Sequence, residues 1–87
     1  MKILHKAVAG SLESSDVLIS VEPADEGLSI NIESVVLKQW GARIRQVVEE
    51  SMQAAGISQA RIDVRDHGAL ECTLKARIET VLLRAGR

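Results

Sequence analysis

Aromatic residues are almost missing from this chain: it has no Phe and no Tyr, and Trp40 stands alone. Single-strand nucleic-acid binders stack successive bases on aromatic rings, so that class is disfavoured. The charge balance disfavours it further, because eleven basic residues face twelve acidic ones and the net charge is -1, too little to attract phosphate backbones or anionic lipid. Cys72 is the only cysteine, which excludes an internal disulfide. No hydrophobic run reaches the length of a bilayer span, and Gly10 and Ser11 cut short the apolar stretch that a secretory signal would need. The expectation is a cytoplasmic protein that meets neither nucleic acid nor membrane. The sole proline, Pro23, lies in a turn signal rather than a linker, and neither repeats nor low-complexity tracts occur. The 87 residues therefore read as one domain, 1–87, and a chain this short removes only about 60 to 65 % of its unfolded surface from water.

What is present is a clear change of hydrophobic period. Val17, Ile19 and Val21 alternate with Leu18, Ser20 and Glu22, and Leu28, Ile30 and Ile32 alternate with Ser29, Asn31 and Glu33. Both runs have the period of half-buried strands, and the turn chemistry of Pro23 to Gly27 between them predicts an antiparallel hairpin. From Ser34 the spacing of Leu37, Trp40, Ile44, Val47, Val48 and Met52 is that of one helix face, with Ser34 as N-cap, Gly56 just past the end, and Trp40 as a core anchor. The opposite face, with Arg43, Arg45, Gln46, Glu49 and Glu50, reads as solvated. Ile62 and Val64 give a further strand, Asp66-His67-Gly68 a turn, and Leu70, Leu74, Ile78, Val81 and Leu82 a second helix over Ala69 to Ala85, with Arg84 and Arg87 near the negative end of its dipole. Residues 4 to 12 are a candidate edge strand. The predicted fold class is α+β, a two-layer domain with an antiparallel-rich sheet of about three strands and both helices on one face, in the order β-β-α-β-α.

Catalytic constellations are scarce. The only nucleophile and base pairings available are Cys72 with His67 or His5; a structural cysteine near the core and an exposed turn histidine account for them better. The histidines, cysteine and carboxylates show no metal-ligand spacing, and neither a Walker pattern nor a dinucleotide fingerprint occurs. The remaining feature is Gly10-Ser11-Leu12-Glu13-Ser14-Ser15-Asp16, three hydroxyls and two carboxylates with no basic neighbour in the segment. Ser and Asp are ordinary turn formers, so a simple surface turn explains the cluster as well as a site does. A chain with no catalytic set and one accessible serine cluster suits a protein that is acted upon.

Four segments, read together, resemble the acyl carrier protein of bacterial citrate lyase, its gamma subunit. They are Ala7 to Val17, Val36-Leu37-Lys38-Gln39-Trp40-Gly41, Asp66-His67-Gly68-Ala69-Leu70-Glu71-Cys72 and Ala76-Arg77-Ile78-Glu79. The resemblance implies a non-catalytic subunit that carries a phosphoribosyl dephospho-coenzyme A arm, covalently attached through a phosphodiester to Ser14, with Glu13, Ser15 and Asp16 as recognition residues or turn formers. It further implies acetyl and citryl thioesters on the arm during cleavage of citrate to acetate and oxaloacetate, with the lyase alpha and beta subunits and a prosthetic-group transferase as partners. The Asp-Ser-Leu tripeptide of ordinary phosphopantetheine carriers is absent. His67 stands where the family has lysine, and the family's chains often continue past the last helix, so a shortened docking tail is expected. The competing readings are the carrier subunit of malonate decarboxylase, whose serine segment is closer to Gly-Ser-Gly-Asp, and a non-catalytic protein-interaction domain.

Overall fold

Strand, helix and strand again, over residues 28 to 66, set the architecture. In the computed structural model, which describes residues 1–86, β1 (Ala7–Gly10), β2 (Val17–Pro23), β3 (Leu28–Ser34), α1 (Leu37–Ala54), β4 (Ala60–Asp66) and α2 (Glu71–Ala85) follow one another. The candidate edge strand is real and is β1. The sheet is four-stranded, in the order β1-β2-β4-β3. β4 runs antiparallel to β2, with Ile19 opposite Val64, and parallel to β3, with Ile32 opposite the same Val64.

The expected β2–β3 hairpin does not form, because β4 lies between its two strands. Burial explains the choice: Ala60, Ile62, Val64 and Asp66 are buried along β4, whereas β3 has no fully buried residue, so β4 takes the centre and β3 the edge. Charge agrees with it. On the open face of the sheet β2 offers Glu22 and β3 offers Glu33, and β4 supplies Arg61 to the first and Arg65 to the second. Each exposed pair is worth at most about 1 kcal/mol, yet a direct β2–β3 pairing would forgo both.

The other face is the core. Val17, Ile19 and Val21 of β2 meet Val47, Val48 and Met52 of α1 and Leu74, Ile78, Val81 and Leu82 of α2 in one cluster, with Ile3 and Ile57 completing it. Both helices thus cover the same face of the sheet. α1 ends as Gly56 implied, since Gly56 has φ +70 while its N–H donates to Gln53 O and that of Ile57 donates to Met52 O, the double bond pattern of a Schellman motif. Its start falls later than expected. Ser34 is the last residue of β3, and its hydroxyl donates to Asp66 (2.8 Å) and accepts from the Val36 N–H. It holds the strand-to-helix turn and leaves the capping position to Val36.

Two assignments to the core are corrected. Trp40 is 58 % exposed and Leu37 is also exposed, because the buried stripe of α1 begins only at Ile44. Cys72 is exposed on the first turn of α2, and His67 is half-buried. The solvated face of α1 is only partly so, for Arg43 holds Glu71 of α2 with both oxygens, at 2.6 and 2.9 Å, and this contact lowers the Glu71 carboxyl below its ordinary range. Arg84 reaches Val8 O at 2.8 Å, and Arg87 lies outside the described residues.

Candidate functional site

The serine segment bridges β1 and β2 and is far more ordered than its composition suggests. Gly10, with φ +93, lets the chain leave β1 against the backbone of Val17, and the Ser11 N–H donates to Val17 O to close the base of the loop. At the tip the Asp16 N–H donates to Glu13 O, which puts Ser14 and Ser15 at the two central positions of a β-turn. Ser15 has φ +63 and is the only non-glycine residue with positive φ among the described residues, the combination of a type II turn, whose second central position favours Gly or Asn. A left-handed serine persists only where its surroundings hold it. Here the Ser15 N–H donates to His67 O at 2.8 Å and the His67 N–H donates to Asp16 O at 2.9 Å.

Asp16 is the keystone of this loop. One carboxylate oxygen accepts from its own neighbour Val17 N–H (2.7 Å) and from Arg77 Nε (3.1 Å), and the other from the Ser11 hydroxyl (2.6 Å) and Arg77 Nη2 (2.9 Å). The Ser11 hydroxyl, then the Arg77 guanidinium and the Val17 N–H, lower the Asp16 carboxyl from 3.8 to about 2. The segment that lacks a basic residue in sequence therefore has one in space, supplied by α2. Because the folded carboxyl titrates below its unfolded counterpart, its contribution to stability is complete above about pH 4 and is lost as pH falls through about 2. Carbon-detected NMR titration of the Asp16 carboxyl should give a midpoint near 2; a midpoint near that of an ordinary carboxylate would mean that the clamp is not formed.

The three serines are not equivalent. The Ser11 hydroxyl is committed to Asp16 and accepts from the Glu13 N–H. Ser14 and Ser15 are exposed, and their hydroxyls have no hydrogen-bond partner among the described residues. Glu13 is exposed beside Ser14, while both oxygens of Asp16 are occupied. Cys72, exposed on α2, and half-buried His67 form no hydrogen bond to each other. No group of three or more His, Cys, Asp or Glu side chains suited to a metal occurs among the described residues. No helix among them is long and apolar enough to cross a membrane.

Next to the turn two clefts adjoin across Asp66. The first, about 340 Å³, is lined by Leu12, Val35, Arg65 and His67; the second, about 350 Å³ and largely apolar, lies between α1 and α2 with Trp40, Ile44, Leu70 and Leu74 in its walls. Asp66 is 5 % exposed and accepts from Ser34 and from the N–H groups of Gly68 and Ala69. It ties the end of β3, the end of β4 and the approach to α2 together. Arg77, His67 and Asp66 are residues that reading the sequence did not single out for the loop. The only signal was Asp66 followed by Gly68, since nothing local links Arg77 to a turn 61 residues away.

Comparison with known proteins gives a consistent result. The model of the acyl carrier family described as malonate decarboxylase delta subunit (MdcD) matches residues 4–85. The citrate lyase acyl carrier protein of Streptococcus uberis is 49 % identical over 85 residues, 98 % of this chain and 84 % of that one, and that of Pectobacterium carotovorum is 47 % identical over 98 % and 88 %. A chain in the crystal structure of a Pseudomonas malonate decarboxylase hetero-tetramer in complex with malonate shares the fold with a TM-score of 0.84 at 25 % identity, over 97 % of this chain and 87 % of that one. An α+β domain with a clamped serine turn, and relatives matched over nearly their whole length, lead to one assignment: the chain belongs to the citrate lyase acyl carrier protein family.

Proposed function

We propose that this chain is the acyl carrier subunit of a citrate lyase and that Ser14 is the attachment point of its phosphoribosyl dephospho-coenzyme A arm. The observation that carries the reading is the free, exposed hydroxyl of Ser14 at the tip of a turn whose other parts are fastened to the domain, in a chain 49 % identical to a citrate lyase acyl carrier protein. The residues suit such a group, because a phosphodiester needs one accessible primary hydroxyl and no enclosing pocket. When attached, the arm supplies a flexible tether with a terminal thiol for acyl groups. The chain's own contribution is to present the hydroxyl, hold the turn and dock on its partners, the alpha and beta lyase subunits and a prosthetic-group transferase in the cytoplasm; it performs no catalysis.

Attachment joins Ser14 Oγ to the phosphorus of a polyphosphate-activated donor and breaks the bond from that phosphorus to the departing pyrophosphate. The hydroxyl proton passes to a base of the transferase or to water. Asp16 is a poor base for it, with its carboxyl held at about 2 and both oxygens occupied. Glu13 and Ser15 remain as surface features that the transferase can read. The malonate decarboxylase reading accounts for the shared fold, but 25 % identity there against 47 to 49 % for the citrate lyase carriers favours the latter.

Coexpression with the modifying enzymes is expected to yield one adduct per chain, located on the Ser14 peptide by intact-mass and fragmentation measurements. An adduct on Ser11 or Ser15 would move the site, and none at all under those conditions would sink the carrier reading.

A further inference from the structure

We propose that Arg77 is a positioning residue for arm attachment: from α2 it sets the shape of the serine turn in which the transferase receives Ser14. This rests on the Ser14 reading above and goes beyond it, because the turn is then recognised as folded structure and not as a linear motif. Three contacts carry the argument. The guanidinium meets Asp16 as a fork, at 3.1 and 2.9 Å, a geometry that fixes the orientation of the carboxylate as well as its charge. The oriented carboxylate in turn holds the Ser11 hydroxyl and the Val17 N–H, the two residues that close the base of the loop through Ser11 N–H to Val17 O. The stem of Arg77 passes close to Gly10, its Cδ lying 3.4 Å from where a β-carbon of residue 10 would be, so the arginine packs against the start of the turn on its way to Asp16.

Downstream of Asp16 the same residue accepts at its carbonyl from the His67 N–H, and His67 O receives the Ser15 N–H. The left-handed Ser15, and with it the direction in which Ser14 projects, is thus linked to Arg77 through Asp16, whose carboxylate meets the arginine and whose carbonyl meets His67. Group transfer to a hydroxyl depends steeply on placement, with a misplacement of roughly 1 Å able to cost about 100-fold. The Arg77 side chain is 40 % exposed and touches no part of the reacting centre, so its effect is exerted through Asp16 and through its stem against Gly10.

The test is the rate of arm transfer to the full chain, measured by intact mass, for wild type, Arg77→Met, Arg77→Lys, Asp16→Asn and the double variant Asp16→Asn/Arg77→Met. Arg77→Met should lower kcat/KM for transfer by about 10- to 100-fold. Arg77→Lys keeps the stem and charge but not the fork, and should fall in between. The double variant should be no slower than the slower single variant, since the two residues act as one unit. Ile62→Val serves as a control for lost stability alone, and it should leave transfer unchanged. Amide exchange should show protection lost at Ser15 and His67 in Arg77→Met but kept along β4 and α2. If wild type takes up no arm, the Ser14 reading itself fails. If wild type is modified and folded Arg77→Met or Arg77→Lys is modified equally fast, the positioning role is overturned while Ser14 stands.

Discussion

Replacing Ser14 with alanine is expected to abolish lyase activity in the reconstituted complex, to the level of a complex without carrier, while circular dichroism and assembly stay those of wild type. The expectation follows from geometry. Ser14 is exposed and its hydroxyl makes no bond among the described residues, so its removal deletes the proposed attachment point and little else; surface substitutions away from packed features usually stay within about 0.5 kcal/mol. The neighbouring serines cannot substitute readily. Ser11 is engaged with Asp16 at 2.6 Å, and Ser15 is held in a left-handed conformation by His67. Activity retained in Ser14→Ala and lost in Cys72→Ala would place the functional group on α2 and refute the proposed attachment.

The largest loss of stability is expected from Gly10→Ala. A β-carbon there would stand 1.8 Å from the carbonyl oxygen of Val17, a backbone atom that cannot swing aside and that already accepts from the Ser11 N–H. The positive φ of +93 adds roughly 1 to 2 kcal/mol for any L side chain. Together the two terms should exceed about 4 kcal/mol, a loss found only for a few severe mechanisms and comparable to the whole stability of a small domain. Gly27→Ala separates them. Gly27 has φ +72 but nothing within 4 Å of its added carbon, so only the conformational penalty of about 1 to 2 kcal/mol applies. Urea unfolding of both variants checks the difference; equal midpoints would show that β1 and β2 shift apart freely and that the contact at Gly10 is not a constraint.

Most elements were legible in the sequence because their signals are local. The alternation through Val17 to Glu22 and Leu28 to Glu33, the helical spacing from Ile44 to Met52, and Gly56 after the first helix all lie within the reach of a few residues, and each matches an observed element. What failed was partner choice. Two strands beside a five-residue turn resemble a hairpin whichever strand later enters between them, and only the deeper burial of β4, with Arg61 beside Glu22 and Arg65 beside Glu33, explains why β4 does. Trp40 failed for a related reason: it lies on the same helix face as Ile44, but in the first turn of α1, where it walls the cleft between the helices and stays largely exposed. At the candidate site the serines were visible and the clamp was not. Asp16 and Arg77 are 61 positions apart, and no periodicity relates a turn to a helix face that far along the chain.

The placement of β4 in the middle of the sheet also fixes an order of events during synthesis. A ribosome delivers β1, β2, β3 and α1 before β4 exists, and until residues 60 to 66 emerge the strands on either side have no common partner. Such long-range pairing is slow and must await the distant segment. The serine turn waits longer still, since it draws on His67 and then on Arg77. A nascent or truncated chain that stops short of Arg77 therefore displays its serines on an unfastened turn, and the fastened one exists only once α2 has been made and has packed.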